Sequence, residues 1–353
     1  MIALSFNPSR CDTTPQGPPR PRRRGFSMTE LLVVIGIIAV LAGILLVAMR
    51  GVRVRAKYTQ TESTMQSFMA ACDSFQMEHG RYPGVVPESV FANPGGTGPP
   101  PISGTENALL DLMGGVIRGD DPQYGNLGGD WDEIVVNGAT LLGQIKVNRQ
   151  LIGEGPVING QPYAPYFTPG DGEFRIAKGQ MVANTQDVEC CPSLDADCNE
   201  SGQCLPDLLD AWGQPIIYVR RARTTGPLVA GSGPGQPQFL TTSMTPYTTS
   251  TALGELGKDQ SVSIFNTSAA ANATFGQTIR HPAFGAPNDP LTGTARGAYV
   301  LISAGPDGIF FSKFDGPGTP TAPVENIVTN SNSDLNTPRV VQEYDDIRRF
   351  GGG

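Results

Sequence analysis

Histidine is almost missing from this sequence: there are two in 353 residues, His79 and His281. Neither lies in a His-Glu-x-x-His pattern, and no Gly-x-Ser-x-Gly or phosphate-loop motif is present. Gly231-Ser232-Gly233-Pro234-Gly235 falls in a low-complexity stretch, not at a strand-to-helix junction. Catalysis by the chain itself is not expected. Charge is scarce too, at 16% of residues, while 39% are hydrophobic, a balance that excludes a disordered chain and gives enough apolar matter for a sizeable core. The charge that is present is mostly acidic. A net charge of −8 and a pI near 4.9 exclude a nucleic-acid binder that relies on a basic surface. No repeat of solenoid period is found. Glycine and proline, by contrast, are plentiful at 44 and 31 residues. That abundance rules out a tight helical bundle over most of the length and demands turns and long loops.

The basic residues are unevenly placed. Residues 1–25 hold Arg10, Arg20, Arg22, Arg23 and Arg24 against Asp12 alone, so a segment of +4 precedes a body of −12. Directly after it, every residue from Leu31 to Met49 is apolar or glycine. Phe26 to Met49 would extend about 36 Å as a helix, enough for a hydrocarbon core of about 30 Å. A secretory signal would have a shorter apolar region ending in a small-x-small cleavage site. This one runs into Met49-Arg50-Gly51, so a membrane anchor is expected. Arginines flank it on both sides, Arg22 to Arg24 before and Arg50, Arg53 and Arg55 after, which leaves its orientation undecided by charge alone.

Glu30 stands at the head of the apolar run. A carboxylate in or at the edge of a bilayer costs about 2.5–3.5 kcal/mol, which marks it as a functional candidate. The alternative is a carboxylate that snorkels to the interface and favours the helix dipole. The segment Arg24-Gly25-Phe26-Ser27-Met28-Thr29-Glu30-Leu31-Leu32-Val33-Val34-Ile35 resembles the processing signal of type IV prepilins and type II secretion pseudopilins. The resemblance implies cleavage between Gly25 and Phe26 by a membrane aspartic prepilin peptidase and N-methylation of Phe26. It also implies a cytoplasmic leader, a periplasmic head, and a pairing of Glu30 with the Phe26 amine of a neighbouring subunit.

Between Gly51 and His79 no proline intervenes. Apolar residues recur at Tyr58, Met65, Phe68, Met69, Cys72 and Phe75, one face of an amphipathic helix. Gly80 and Pro83 supply its stop signal. Gly36 and Gly43 leave room for close helix packing, although small residues are common in spans generally. His79-Gly80-Arg81-Tyr82-Pro83 is similar to the stretch that ends the long helix in the same family.

Beyond the helix, residues 92–105 and 222–250 read as irregular linkers rich in glycine, proline, serine and threonine. Asn107–Met113 is a short helix candidate, and Glu133–Val136 and Gln144–Val147 are weak strand or helix candidates. Asp210-Ala211-Trp212-Gly213-Gln214-Pro215 reads as a turn into the strand Ile216–Val219. Gly297 to Gly308 reads as a strand ending in a tight turn. Both resemble elements of the major, G-type pseudopilin head. In that family the loop between the last two elements binds Ca²⁺, which implies Asp307, Asp345 and Asp346 as oxygen ligands. The alternative is an ordinary turn at Asp307-Gly308 and a solvated acidic pair, and the separation of Gly308 from Asp345 is longer than in the family.

Cys190, Cys191, Cys198 and Cys204 cluster within fifteen residues. Outside the cytoplasm they are disulfide candidates in preference to a zinc site, whose usual Cys-x₂₋₄-Cys spacing is absent. Asp195, Asp197 and Asn199 alternate as in a calcium loop, but the glycine and glutamate positions of such a loop are not met, and acidic turn residues are the commoner reading. Cys72, on the apolar face, is expected to be a packed thiol.

The expected architecture is α+β: a leader at 1–25, a span at 26–50, an amphipathic continuation at 51–80, and a head at 81–353 with a loop-rich insertion at about 90–204. The long hydrophobic helix would pack on a small antiparallel sheet. The resemblance implies a structural pseudopilin of a type II secretion system, in the bacterial inner membrane, polymerising with other pilins or pseudopilins. Its further partners would be an inner-membrane assembly platform and its ATPase; no nucleic acid is expected. A type IV pilin or minor pilin serving adhesion, motility or DNA uptake, and a membrane-anchored receptor that never polymerises, stand as alternatives.

Overall fold

The computed structural model describes residues 27–91, 101–129, 131–178, 204–229, 236–248, 258–266, 268–281, 293–312, 314–315 and 344–352. These fall into two compact units, Met1–Val52 and Arg53–Gly353. Helix α1 spans Met28–His79. In the first unit its side chains from Leu31 to Leu45 are exposed, including every large apolar one, as a stretch intended for lipid or for other helices would be.

The second unit is mixed α and β. Its helices are the end of α1, α2 (Glu88–Phe91), α3 (Gly104–Met113), α4 (Thr245–Thr248) and α5 (Ser268–Ile279). Its strands are β1 (Val116–Arg118), β2 (Asp132–Val135), β3 (Gln144–Val147), β4 (Val157–Ile158), β5 (Gln161–Pro162), β6 (Phe174–Lys178), β7 (Cys204–Leu208), β8 (Ile217–Arg220), β9 (Tyr299–Ser303) and β10 (Ile347–Gly351). They form an antiparallel sheet in the order β10-β9-β8, a second in the order β1-β3-β2, and two hairpin-like pairs, β4-β5 and β6-β7. The α+β expectation holds.

The central sheet is apolar on both faces, which is why β8 and β9 read as unbroken hydrophobic runs. Tyr218 of β8 pairs with Leu301 of β9, and Val219 with Val300. Tyr218, Tyr299 and Leu301 face a core shared with Met65, Phe68, Cys72 and Phe75 of α1 and with Leu109 and Leu112 of α3. The four α1 side chains are fully buried, so the amphipathic stripe lies where its spacing placed it, and Cys72 is a free, buried thiol. Ile217, Val219, Val300 and Ile302 face the opposite way, into a core closed by Phe239, Tyr247, Phe275, Phe310 and Phe311. This second layer corrects the linker reading of 222–250. Within its described residues, Phe239, Met244 and Tyr247 are almost wholly buried, and Thr241–Met244 and α4 form helical turns. The reading of 92–105 is likewise corrected at its end, where Ser103 caps α3. The Ser103 side chain accepts from Glu106 N–H while the Glu106 carboxylate accepts from Ser103 N–H, a capping box hidden among glycines and prolines.

Two turns lock the sheet. Asp210 accepts from Trp212 N–H and Gln214 N–H, both at 2.9 Å, and from Ser303 Oγ at 2.7 Å, joining the approach to β8 to the end of β9. Its burial pushes the carboxyl up to about 6 against those bonds. At the end of α1, Gly80 adopts φ +69° and its N–H returns to Gln76. The chain then wraps round the buried Arg220 guanidinium, which donates to the carbonyls of Tyr82, Gly84 and Val86 and to the Glu88 carboxylate.

Candidate functional site

The first site is the start of α1. Ser27 and Glu30 form a Ser-x-x-Glu capping box: Ser27 N–H and Ser27 Oγ donate to Glu30 Oε2 at 2.8 and 2.9 Å, and Glu30 N–H donates to Ser27 Oγ at 3.2 Å. One oxygen of Glu30 is thus satisfied within its own chain, at the end of the helix where the dipole favours a negative charge. The box was readable from the sequence as Ser27-Met28-Thr29-Glu30, yet Glu30 alone drew attention there. Gly25 and Phe26 lie outside the described residues. Gly36 and Gly43 have no heavy atom within 4 Å of the place a Cβ would occupy, so the chain's own packing does not require glycine at either position.

The second site lies where β9 ends and β10 begins. Asp307 and Asp345 come together, and Asp315, which sequence reasoning missed, completes the group: one oxygen from each lies within 4.8 Å of the others. Asp346 is not a member. Both its oxygens accept from Phe311 N–H, at 3.0 and 3.1 Å, and it is buried. The expectation that Asp346 points at a metal is therefore corrected to a structural role. It holds Phe311 in a left-handed conformation, φ +47°, at the turn after Gly308. The cluster depends on close backbone approach, because a Cβ on Gly305, at φ +71°, would sit 2.6 Å from the Asp345 carbonyl oxygen. Tyr58 Oη, on α1, donates to that same carbonyl at 3.4 Å.

The electrostatics of the three carboxylates are unfavourable as they stand. Burial, then the charges of Asp307 and Asp315, pushes Asp345 up to about 8. Burial pushes Asp307 up to about 6, against the Ile309 N–H it accepts, and raises Asp315. Asp345 Oδ1 and Asp315 Oδ2 are buried without a hydrogen-bond partner. Orphaned carboxylate oxygens and mutual repulsion are what a hard cation would relieve, so the donor set fits a divalent ion with oxygen ligands. Asp315 belongs to Phe314-Asp315, far in sequence from either partner; an acidic residue between the two predicted elements was the signal available.

Of the cysteine candidates, Cys190, Cys191 and Cys198 lie outside the described residues, and Cys204 is placed only as the first residue of β7, opposite Lys178.

Residues 20–46 match the family model described as prokaryotic N-terminal methylation motif. The match covers the basic run, Gly25, Phe26, Glu30 and the apolar part of α1, and supports a type IV pilin-like protein. Together with the exposed apolar helix Met28–Leu45 it makes the chain a membrane-anchored, single-pass protein. No curated protein and no solved structure matches the chain.

Proposed function

We propose that the chain is a structural pseudopilin of a type II secretion system, cut by prepilin peptidase between Gly25 and Phe26 and methylated on Phe26. The mature subunit would sit in the bacterial inner membrane with its head in the periplasm. There it would join other pseudopilins in a filament driven by an assembly platform and its cytoplasmic ATPase. Cohesion would come from the apolar face of α1, and register from Glu30 paired with a neighbour's amine. The observation that carries the pseudopilin reading over an adhesive or motility pilin is the carboxylate group of Asp307, Asp315 and Asp345 beside β9 and β10. It stands where the resemblance implies a calcium loop.

Intact-mass measurement on protein purified from membranes tests the processing step. The expected chain begins at Phe26 and is one methyl group heavier than its sequence. A chain that keeps its arginine leader would leave the non-polymerising receptor as the better account. Loss of secreted enzymes from the medium on gene deletion, with no loss of surface fibres, would separate a pseudopilin from a type IV pilin.

Calcium is the proposed ligand of the carboxylate group, held by Asp307, Asp315 and Asp345, where it would supply charge neutralisation and no chemistry. The pH dependence follows from the raised carboxyls. Their folded-state values lie above the ordinary carboxylate range, so the folded chain keeps protons that the unfolded chain loses between about pH 4 and pH 8. Metal-free stability is then fullest near pH 4 for these groups and falls as pH rises through 6 and 8. Calcium should reverse that loss. With calcium at a hundredfold excess over its Kd, about 2.7 kcal/mol is expected, or roughly 5–10 °C in Tm, for the detergent-solubilised full chain at pH 8. Near pH 5 the gain should be small. Equal melting with calcium and with a chelator at pH 8 would remove calcium from the account, and Asp315→Asn should abolish the response.

A further inference from the structure

Two adjoining cavities on the second unit carry a charge pattern that neither the filament nor the carboxylate group uses. The first, of about 390 Å³, is lined by Arg81, Arg118, Arg220, Arg221 and Glu88 around a floor that includes Val85 and Pro87. The second, of about 470 Å³, shares Arg81, Val85 and Arg118 with it and continues to Asp111, Asp120 and Asp121. Four guanidiniums therefore meet four carboxylates along one groove.

Most of these charges are already paired. Arg220 Nε donates to Glu88 at 2.9 Å, Arg81 forms an ion pair with Asp111, and Arg118 donates to Asp120. Two charges are left over. The Arg221 guanidinium, half-buried, makes no hydrogen bond or ion pair with the described residues, although its backbone N–H is tied to Ala298. Asp121 accepts only the N–H of Gln123 and has no cation beside it among the described residues. The surplus positive charge thus lies in the first cavity and the surplus negative charge in the second. A third group is unsatisfied: Glu88 Oε2 lines the first cavity, in a side chain nine-tenths buried or more, and has no hydrogen-bond partner. Leaving a buried carboxylate oxygen without a donor costs about 1–3 kcal/mol or more, so this wall is built to receive one.

From this pattern we infer that the groove binds an extended peptide segment of a protein partner, one that brings a carboxylate to Arg221, a cation to Asp121, and a backbone N–H to Glu88 Oε2. A fork-shaped guanidinium recognises a planar carboxylate with two parallel bonds. An extended backbone supplies the N–H donor that a free carboxylate or phosphate lacks. The apolar floor at Val85 and Pro87 suits the side chain between the two charges. A simple acidic ligand would satisfy Arg221 but meet Asp121 with like charge. The groove therefore selects mixed charge, and the polarity of its two ends fixes the direction in which the segment lies.

The test uses the detergent-solubilised full chain and fluorescein-labelled, end-blocked peptides in which two, three, four or five alanines separate Glu from Lys. At low salt, at least one spacing is expected to bind, with the corresponding Gln-for-Glu and Gln-for-Lys peptides weaker by about tenfold each. Arg221→Ala should abolish the advantage of Glu over Gln while leaving that of Lys, and Asp121→Asn should do the opposite. Neither side chain supports the fold through a bond in the chain, and unchanged melting of both variants checks this. The inference is overturned if no spacing binds, or if either variant weakens all peptides alike. It is also overturned if succinate or inorganic phosphate displaces the peptide at its own low concentration, which would make the groove a small-anion site. Because the groove does not involve Glu30 or the processed N-terminus, a negative result here leaves the filament reading standing, and the reverse holds too.

Discussion

Glu30→Ala should leave the protein in the membrane and reduce assembled filament at least tenfold. The two halves of that result point to assembly. A carboxylate at the edge of the bilayer raises the cost of insertion by about 2.5–3.5 kcal/mol, so its removal eases insertion and cannot lower the amount of anchored subunit. What Ala removes is the charge proposed to meet a neighbour's amine, together with the cap that Glu30 makes with Ser27. The two losses can be told apart. Glu30→Gln keeps an oxygen that accepts from Ser27 N–H and Oγ but carries no charge, whereas Ser27→Ala removes the hydroxyl and keeps the carboxylate. If pairing with the amine drives subunit addition, Gln should fail like Ala, and Ser27→Ala should still assemble with the last turn of the helix frayed by about 1 kcal/mol. If Gln assembles normally, the cap alone is the role of Glu30. Filament yield by shearing and immunoblot, beside the membrane-bound amount, measures both. Unchanged filament with Ala, or no filament in any variant, would favour the anchored receptor.

The parts of this molecule that were legible in its sequence are those set by local pattern. The apolar run, the α1 stripe through Met65, Phe68, Cys72 and Phe75, and the stop at Gly80 each express one helical period or one breaker. Asn107–Met113 and Ile216–Val219 were found within a few residues of α3 and β8, and Gln144–Val147 coincides with β3. The segment 236–248 was not legible, because Phe239, Met244 and Tyr247 are spaced without helical or strand period among serines and threonines. Only the sheet face they cover gives them a reason. The carboxylate group was half legible. Asp307 and Asp345 belong to recognisable elements, but which of two adjacent acids turns outward is decided by the Phe311 N–H that Asp346 must satisfy. Arg220 was not singled out at all. In sequence it is one more arginine at the end of a strand, and its meaning comes from three carbonyls and a carboxylate more than 130 positions away.

Arg220 is also where a single substitution should damage the head most. Arg220→Met leaves the Glu88 carboxylate buried without a partner and leaves the carbonyls of Tyr82, Gly84 and Val86 without this donor. Removing one member of a buried pair costs about 3–5 kcal/mol. Burial already pushes Glu88 up, with Arg220 the force that holds it down. Without the arginine, Glu88 would keep a proton at higher pH, and the loss of stability should deepen as pH rises above its ordinary value. Arg220→Met combined with Glu88→Gln should recover part of the loss by removing the orphan charge. Gly84 is bound to the same geometry from the other side. At φ +147° it occupies a region open to glycine, and a Cβ there would lie 2.6 Å from Arg220 Cζ, with the guanidinium pinned by four acceptors and unable to yield. Gly84→Ala should therefore cost about 2–4 kcal/mol through displaced hydrogen bonds and backbone strain. The decisive measurement is the double variant. If Gly84 is glycine because Arg220 lies across it, Gly84→Ala should cost markedly less in the Arg220→Met background than alone, a coupling of about 1 kcal/mol or more in denaturant unfolding. Simple additivity would mean that the glycine serves the turn by its φ alone, and that the arginine takes its place against a backbone already bent to receive it.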